Sequence, residues 1–332
     1  MNDRTALVQP PDIDRIRAVA KAMTGQLIRT RTVPWPVPLE GGGPDMHLFV
    51  KLELLQYTGS FKARGALNAT SHAMQAATPG EQFAGVTAFS AGNHAIATAY
   101  AAKVLGTSAK VVMPRSANAF RQQRCLAYGA ELVFGDSISD LIDIVGDIQA
   151  QEGRSLIHPF EGVHTVEGTA TVGLELCDDV PALDAVIVPV GGGGLISGVA
   201  AAVKQMQPDC QVIGVEPTGA NGMQQSLQQH SPMKHVVVNT VADSLGAPMH
   251  APYSFSLVER YVDQMVSVTD AQMCSAMRRM FTDLKLAVEP ACAAALAALQ
   301  GPLADTLRGK RVALIACGSN IDLASWHKLT GS

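Results

Sequence analysis

Residues Asp184-Ala-Val-Ile-Val-Pro-Val190 form a near-continuous apolar run, followed at once by four glycines and an Ala-rich helical stretch, Leu195 to Met206. A strand that is apolar on both faces is buried on both, as in a parallel sheet covered by helices. The pattern recurs along the chain. Strands are expected at His47 to Leu54, Gly85 to Phe89, Ala109 to Met113, Glu131 to Phe134, Ser155 to His158, Gln211 to Glu216 and Arg311 to Ala316. Helices are expected across Asn93 to Leu105, Ala119 to Tyr128, Ile138 to Gln149, Thr169 to Leu176, Asp270 to Leu286 and Ala291 to Leu299. This alternation predicts an α/β fold with parallel strands and covering helices. No repeat and no low-complexity linker interrupts it, so two α/β units are expected to pack closely, without a Gly/Ser tether.

The chain has 332 residues, 47% hydrophobic and 16% charged, enough for a large core and for two domains more readily than one. A net charge of −4 and the lack of a long basic run argue against a nucleic-acid or lipid-surface partner. Cys125, Cys177, Cys210, Cys274, Cys292 and Cys317 form no C-x-x-C pair and have no His cluster with zinc spacing, so reduced thiols are expected. The N-terminal stretch MNDRTALVQPPDID has no apolar signal core, and no apolar run approaches bilayer length. A cytoplasmic location is the expectation.

Three segments could carry chemistry. In Thr58-Gly59-Ser60-Phe61-Lys62-Ala63 a lone lysine stands between an aromatic and small residues. A lysine held against apolar surface has its charged form disfavoured, and its amine becomes a nucleophile able to form a Schiff base with an aldehyde. An ordinary solvated lysine is the bland alternative. Gly191-Gly192-Gly193-Gly194 joins a strand to a helix, and such a loop can turn several backbone N–H groups toward one phosphate at the positive helix end. It lacks the G-x-G-x-x-G spacing of dinucleotide sites and the lysine of a nucleotide P-loop; a tight turn that merely needs glycine is the alternative. Ser90-Ala91-Gly92-Asn93-His94 follows a strand and opens a helix, where open α/β sheets bind ligands. It could hold a carboxylate, or Ser90 and Asn93 could simply cap the helix.

Together these segments resemble the fold type II pyridoxal 5'-phosphate (PLP) enzymes, tryptophan synthase β-like, and within them the threonine and serine dehydratase group that also includes serine racemase. The likeness rests on Lys51-Leu-Glu53-x-x-Gln56-x-Thr58-Gly59-Ser60-Phe61-Lys62-x-Arg64-Gly65, then Ser90 to His94, Gly191 to Gly194, Glu289-Pro290 and Cys317-Gly318-Ser319-Asn320 in that order. It runs from about Ile13 to Leu323. It implies two parallel-type sheet domains with helices on both faces: a large PLP-binding domain from residues 1–55 and 158–332, and a small domain, 56–157, carrying the Ser90 to His94 loop. It also implies roles. Lys62 would hold the cofactor as a Schiff base and act as the base at Cα. Phe61 would pack on the ring, Asn93 would bind the ring's 3-oxygen, and Gly191 to Gly194 with Leu195 would hold the phosphate. Glu289 and Cys317 would complete the cofactor site, Cys317 facing the pyridine nitrogen. Ser90, Ala91, Gly92, Asn93 and His94 would cradle the carboxylate of a small amino-acid substrate. A homodimer is the family's common state.

Departures from the family sharpen the expectation. Ala91 stands where serine racemase has a serine serving the opposite face of Cα, and a methyl group exchanges no proton. Cys317 replaces the usual serine, and neither residue forces the pyridine nitrogen to stay protonated; a plain buried thiol at a strand end is the alternative. Relatives can bind a divalent cation; here Glu216 and Ala220 match two ligands, but Gly222 stands where the second carboxylate would be, so a weak or absent site is expected. Glu167 replaces a common glutamine, and Ala242-Asp243-Ser244-Leu245-Gly246 resembles dehydratases of the hydroxyectoine-utilisation branch. This loop is expected near the substrate side chain or the cofactor's exposed face; helix capping or a local salt bridge is the alternative for Glu167 and Asp243. The implied activity is dehydration and deamination of L-threonine, L-serine or a similar β-hydroxy-α-amino acid. The alternatives are a racemase or β-replacement enzyme of the same fold, disfavoured by Ala91 and by the T-G-S-F-K motif, and a non-catalytic PLP- or amino-acid-binding protein. A C-terminal regulatory domain is not expected after the last motif.

Overall fold

The computed structural model describes residues 9–37, 46–78 and 82–331. The first eight residues of the N-terminal stretch lie outside these. Among the described residues ten strands form two sheets: β1 (Thr32–Pro34), β2 (His47–Lys51), β3 (Val86–Phe89), β4 (Ala109–Pro114), β5 (Glu131–Gly135), β6 (Ser155–Leu156), β7 (Ala185–Pro189), β8 (Gln211–Pro217), β9 (Gln264–Val268) and β10 (Arg311–Ile315). The larger sheet has the order β1-β2-β10-β7-β8-β9 and the smaller β5-β4-β3-β6. Every pairing is parallel except β1 with β2 at the edge of the larger sheet.

The apolar run that leads into the four glycines is β7, whose residues are all buried at the centre of the larger sheet's core. β10, last in sequence, inserts between β2 and β7, with Ile315 opposite Lys51 and Leu314 opposite Ile187. The loops after Lys51, Pro189 and Ile315 therefore leave the sheet at one carboxyl edge, where open α/β sheets place ligands.

Most expected elements are found within a few residues of their predicted ends. The helix expected from Thr169 runs from Val163 to Asp179, and the strand expected to Leu54 stops at Lys51 and turns into a short 3₁₀ helix, Glu53–Leu55. The helix Lys62–Gln75 carries no expectation from periodicity; it packs against both Asn93–Val104 and Val163–Asp179 and so contacts helices of both sheets. All six cysteines are unpaired. Among the described residues no helix is long and apolar enough to cross a membrane.

Candidate active site

Lys62 is the first residue of its helix, and no side chain caps that end. The preceding loop is instead stitched to the loop after β10. Phe61 N–H donates to the Cys317 carbonyl at 3.1 Å, Ser319 N–H donates to the Gly59 carbonyl at 2.9 Å, and Ser60 bridges Gly318. Gly59 has φ +73°, and a Cβ there would come within 2.6 Å of Asn320 Oδ1. Glycine is thus needed for both the backbone turn and the close approach.

The helix start is also anchored from below. Two residues beyond Lys62, the buried Arg64 donates to both oxygens of Glu53 at 2.7 Å and to both oxygens of Glu175 at 2.7 and 2.8 Å. Lys51 Nζ joins Glu175 at 2.6 Å. This network ties the end of β2, the helix bearing Lys62 and the helix Val163–Asp179 into one rigid corner.

Lys62 keeps some exposed surface on the cleft side, while its ammonium is enclosed by protein elsewhere. It donates to the Pro159 carbonyl and lies 5.0 Å from the Phe61 ring centroid. Desolvation pushes its pKa down to about 8, against the pull of Cys317 and Glu289. A useful fraction of the amine is then neutral near pH 7. Cys317 is buried beside it; a hydrogen bond with Cys292 and desolvation both push its thiol well above the usual value, so it stays protonated.

The glycine loop closes β7 into the helix Gly194–Met206, with Gly193 at φ +94° as the N-cap. The loop lies directly on Phe160: a Cβ on Gly192 would stand 2.2 Å from Phe160 Cδ1, and one on Gly194 2.6 Å from the Phe160 carbonyl oxygen. Among the described residues the N–H groups of Gly191, Gly192, Gly193 and Gly194 find no backbone acceptor. Unpaired donors converging at a positive helix end fit an anionic phosphate, and only glycine leaves room for this path. The loop, Leu195, Phe61, Lys62, Asn93, Ser244, Glu289 and Cys317 line one recess, so these residues fit the phosphate, ring and aldehyde of PLP.

The recess opens into a cleft of about 500 Å³ that also reaches Ser90, Ala91, Gly92, Asn93 and His94. Ser90 Oγ accepts the Gly92 N–H at 3.1 Å. Asn93 is fixed from two sides: its Nδ2 donates to Glu289 Oε1 at 2.8 Å, and its Oδ1 accepts from Asn320 Nδ2 at 2.7 Å. Glu289 also accepts from Ser244 Oγ at 2.9 Å and from Asn320 N–H at 3.2 Å. Burial pushes the Glu289 carboxyl up, with the Arg121 charge opposing. The His94 ring points to the Ile157 carbonyl, Nε2 to oxygen 2.7 Å, and desolvation with the Lys62 charge pushes its pKa down to about 3. His94 is therefore neutral, and its share in any carboxylate cradle comes from its backbone end.

Glu216 and Ala220 are not among the residues lining the recess or the cleft. Both Glu216 oxygens accept backbone N–H groups, from Met223 at 2.8 Å and Gln224 at 2.9 Å, and desolvation pushes its pKa up to about 8. Asp243 and Glu167 both form salt bridges, with Arg121 and Arg15 respectively. Asp243 and Ser244 line the cleft, where the loop was expected. His72, His164 and Glu167 bring potential ligand atoms within 4.8 Å of one another. Arg15 fills that space, 2.6 Å from His72 Nε2 and 2.8 Å from Glu167 Oε1, so a cation there would meet a guanidinium.

Sequence reasoning missed Pro159, Phe160 and Arg121. Arg121 donates to the Asn320 carbonyl at 2.9 Å and passes so close to Gly92 that a Cβ there would stand 2.9 Å from Nη1. Nothing in local spacing marks these residues. Asn320 had a signal, since it lies in the Cys317 to Asn320 motif.

A lysine of lowered pKa and unpaired glycine N–H groups at the carboxyl edge of the larger sheet, with the helix-opening loop after β3 of the smaller sheet beside them, define a site for a phosphate-bearing aldehyde cofactor. The chain belongs to the pyridoxal-phosphate dependent enzyme family, whose model matches residues 25–318. It is 46% identical over 321 residues to phenylserine dehydratase of Ralstonia pickettii, covering 97% of each chain. It is 37% identical over 312 residues to L-threonine ammonia-lyase of Thermotoga maritima, covering 94% of this chain and 76% of the other. Among solved structures it is similar to maize serine racemase, with a TM-score of 0.87, 34% identity and coverage of 97% and 98%. It is also similar to an L-serine ammonia-lyase from Rhizomucor miehei, with a TM-score of 0.82, 26% identity and coverage of 92% and 99%.

Proposed function

We propose that this protein eliminates the β-hydroxyl of a β-hydroxy-α-amino acid, such as L-threonine or L-serine, to give a 2-keto acid and ammonia. The observation that carries the reading is a single enclosed lysine amine, of pKa about 8, facing a cleft where Ala91 offers no second base. The names of the phenylserine dehydratase and L-threonine ammonia-lyase relatives support it.

PLP supplies a carbonyl for covalent attachment and an electron sink at Cα. Lys62 Nζ would be the point of that attachment and, once displaced by the substrate amine, the base placed to take the Cα proton. The N–H groups of Gly191 to Gly194 would hold the phosphate, Phe61 would pack on the ring, and Asn93, locked by Glu289 and Asn320, would serve the ring oxygen. Cys317, a neutral thiol, would give the pyridine nitrogen a weak partner. Ser90 and the helix-opening N–H groups orient the substrate carboxylate, which aims the Cα hydrogen at Lys62. The β-hydroxyl would leave as water with the proton that Lys62 took from Cα, and the released enamine would be hydrolysed to keto acid and ammonia. Racemisation needs a second acid on the opposite face, and Ala91 has none to give.

We further propose a cytoplasmic homodimer, divided into a large domain (1–55 and 158–332) and a small one (56–157). The test of the chemistry is a keto acid assay on the holoenzyme with β-hydroxy amino acids. The expected outcome is keto acid and ammonia in equal amounts; a holoenzyme releasing neither from any of them defeats the reading.

A further inference from the structure

The cleft beside Lys62 continues past the recess along an apolar wall. Its volume is about 500 Å³, within the range of pockets that enclose whole small ligands. Phe89, Pro114, Ile138, Leu141, Pro159 and Phe160 line it. Ile138 is 51% exposed although it is large and apolar. It is held there deliberately by the local sequence: Ser137 and Asp140 form a capping box that fixes the first turn of the helix Ile138–Glu152, and Ile138 is that helix's first residue.

Part of the wall is aromatic, with Phe89 and Phe160 lining the cleft. Phe89 and His158 meet edge to face with centroids 6.2 Å apart, and His158 and Phe160 do the same at 4.6 Å. Desolvation and the Lys62 charge push His158 down to about 4, so this row is uncharged at neutral pH. Rings in such a series accept a further ring at an edge or face. The charged residues at the cleft mouth already have partners: Asp136 accepts from Arg115 at 2.8 Å, and Arg121 is paired with Asp243. An ionic substituent would share a charge already paired, whereas an apolar one covers Ile138 and the rings.

We infer that the cleft wall of Phe89, Ile138 and Phe160 is the specificity surface for the substrate's β-substituent, and that it selects a large apolar, aromatic group over a methyl or a charged chain. This deepens the β-elimination reading and rests on it for the identity of the substrate, but it is testable without turnover. L-phenylalanine, L-alanine and L-lysine have no β-hydroxyl to lose. Each is titrated into the PLP-loaded enzyme while the cofactor's visible absorbance is followed. L-phenylalanine is expected to half-saturate at a concentration about tenfold lower than L-alanine, the gain from partly burying a phenyl group. Ile138→Ser is expected to erase most of that difference, and Ile138→Leu to keep it. Equal half-saturation by phenylalanine and alanine, tighter binding of lysine, or a preference unchanged in Ile138→Ser overturns the inference. Preferential phenylalanine binding by an enzyme that releases no keto acid upholds the wall and defeats only the elimination chemistry.

Discussion

Replacing Lys62 by alanine is expected to lower keto acid release by about 10⁴-fold or more, because one residue serves as both covalent anchor and base. The visible absorption of the lysine-linked cofactor should disappear in the same variant. The glycine loop does not depend on Lys62, so the variant should still retain PLP non-covalently, and a small added amine should restore part of the rate. Full activity in Lys62→Ala without added amine would remove the basis of the account. Lys62 is enclosed by main chain and aromatic groups, and its pKa of about 8 comes first from desolvation. The variant therefore removes a reactive group without leaving a buried charge unpaired.

The largest effect on stability is expected at Arg64. Burial alone would push the Glu53 carboxyl up, but the adjoining Arg64 charge pulls it below the usual range. Glu53 is fully buried, and its partners in hydrogen bonds are Arg64 and Thr30. Arg64→Met keeps much of the volume and strands that carboxylate, a change that costs about 3–5 kcal/mol for a broken buried ion pair. Glu175 is cushioned by Lys51, so Glu53 should dominate the loss. Urea unfolding of the holoenzyme, wild type against variant, measures this. A change within about 0.5 kcal/mol, the usual range of surface substitutions, would mean the network does not anchor the corner.

Which parts of this molecule can be read from its sequence follows from how far apart the interacting residues lie. β7, the glycine loop and the helix after it are contiguous, so their apolar run and glycines announce a buried parallel strand and its anion end. The helix Asn93–Val104 is legible because alanine-rich composition and the preceding strand agree. The helix Lys62–Gln75 is not: its start has no side-chain cap and is held by Cys317, Gly318 and the Arg64 network instead. The helix Val163–Asp179 is half hidden because glycines and β-branched threonines and valines lower helix propensity, and packing against Gly194–Met206 overrides it. Within the site, the residues of the family motifs are legible one by one. What locks them together is not: Asn93 to Glu289 spans 196 positions and Arg121 to Asn320 spans 199. Phe160, the floor under the glycine loop, carries no motif. Glu216 shows what a matching residue type alone conveys. A matching carboxylate marks a position, but both its oxygens are used by the backbone of the next helix.

The central claim is that Lys62 is the sole base at Cα and that proton removal leads to loss of the β-hydroxyl. Incubating the holoenzyme with L-serine in heavy water, with and without sulfide, tests it most directly. The account predicts pyruvate carrying deuterium at its methyl carbon, recovered serine that remains in the L form, and no sulfur-substituted amino acid. Accumulation of D-serine, or of cysteine when sulfide is present, in place of pyruvate would contradict it.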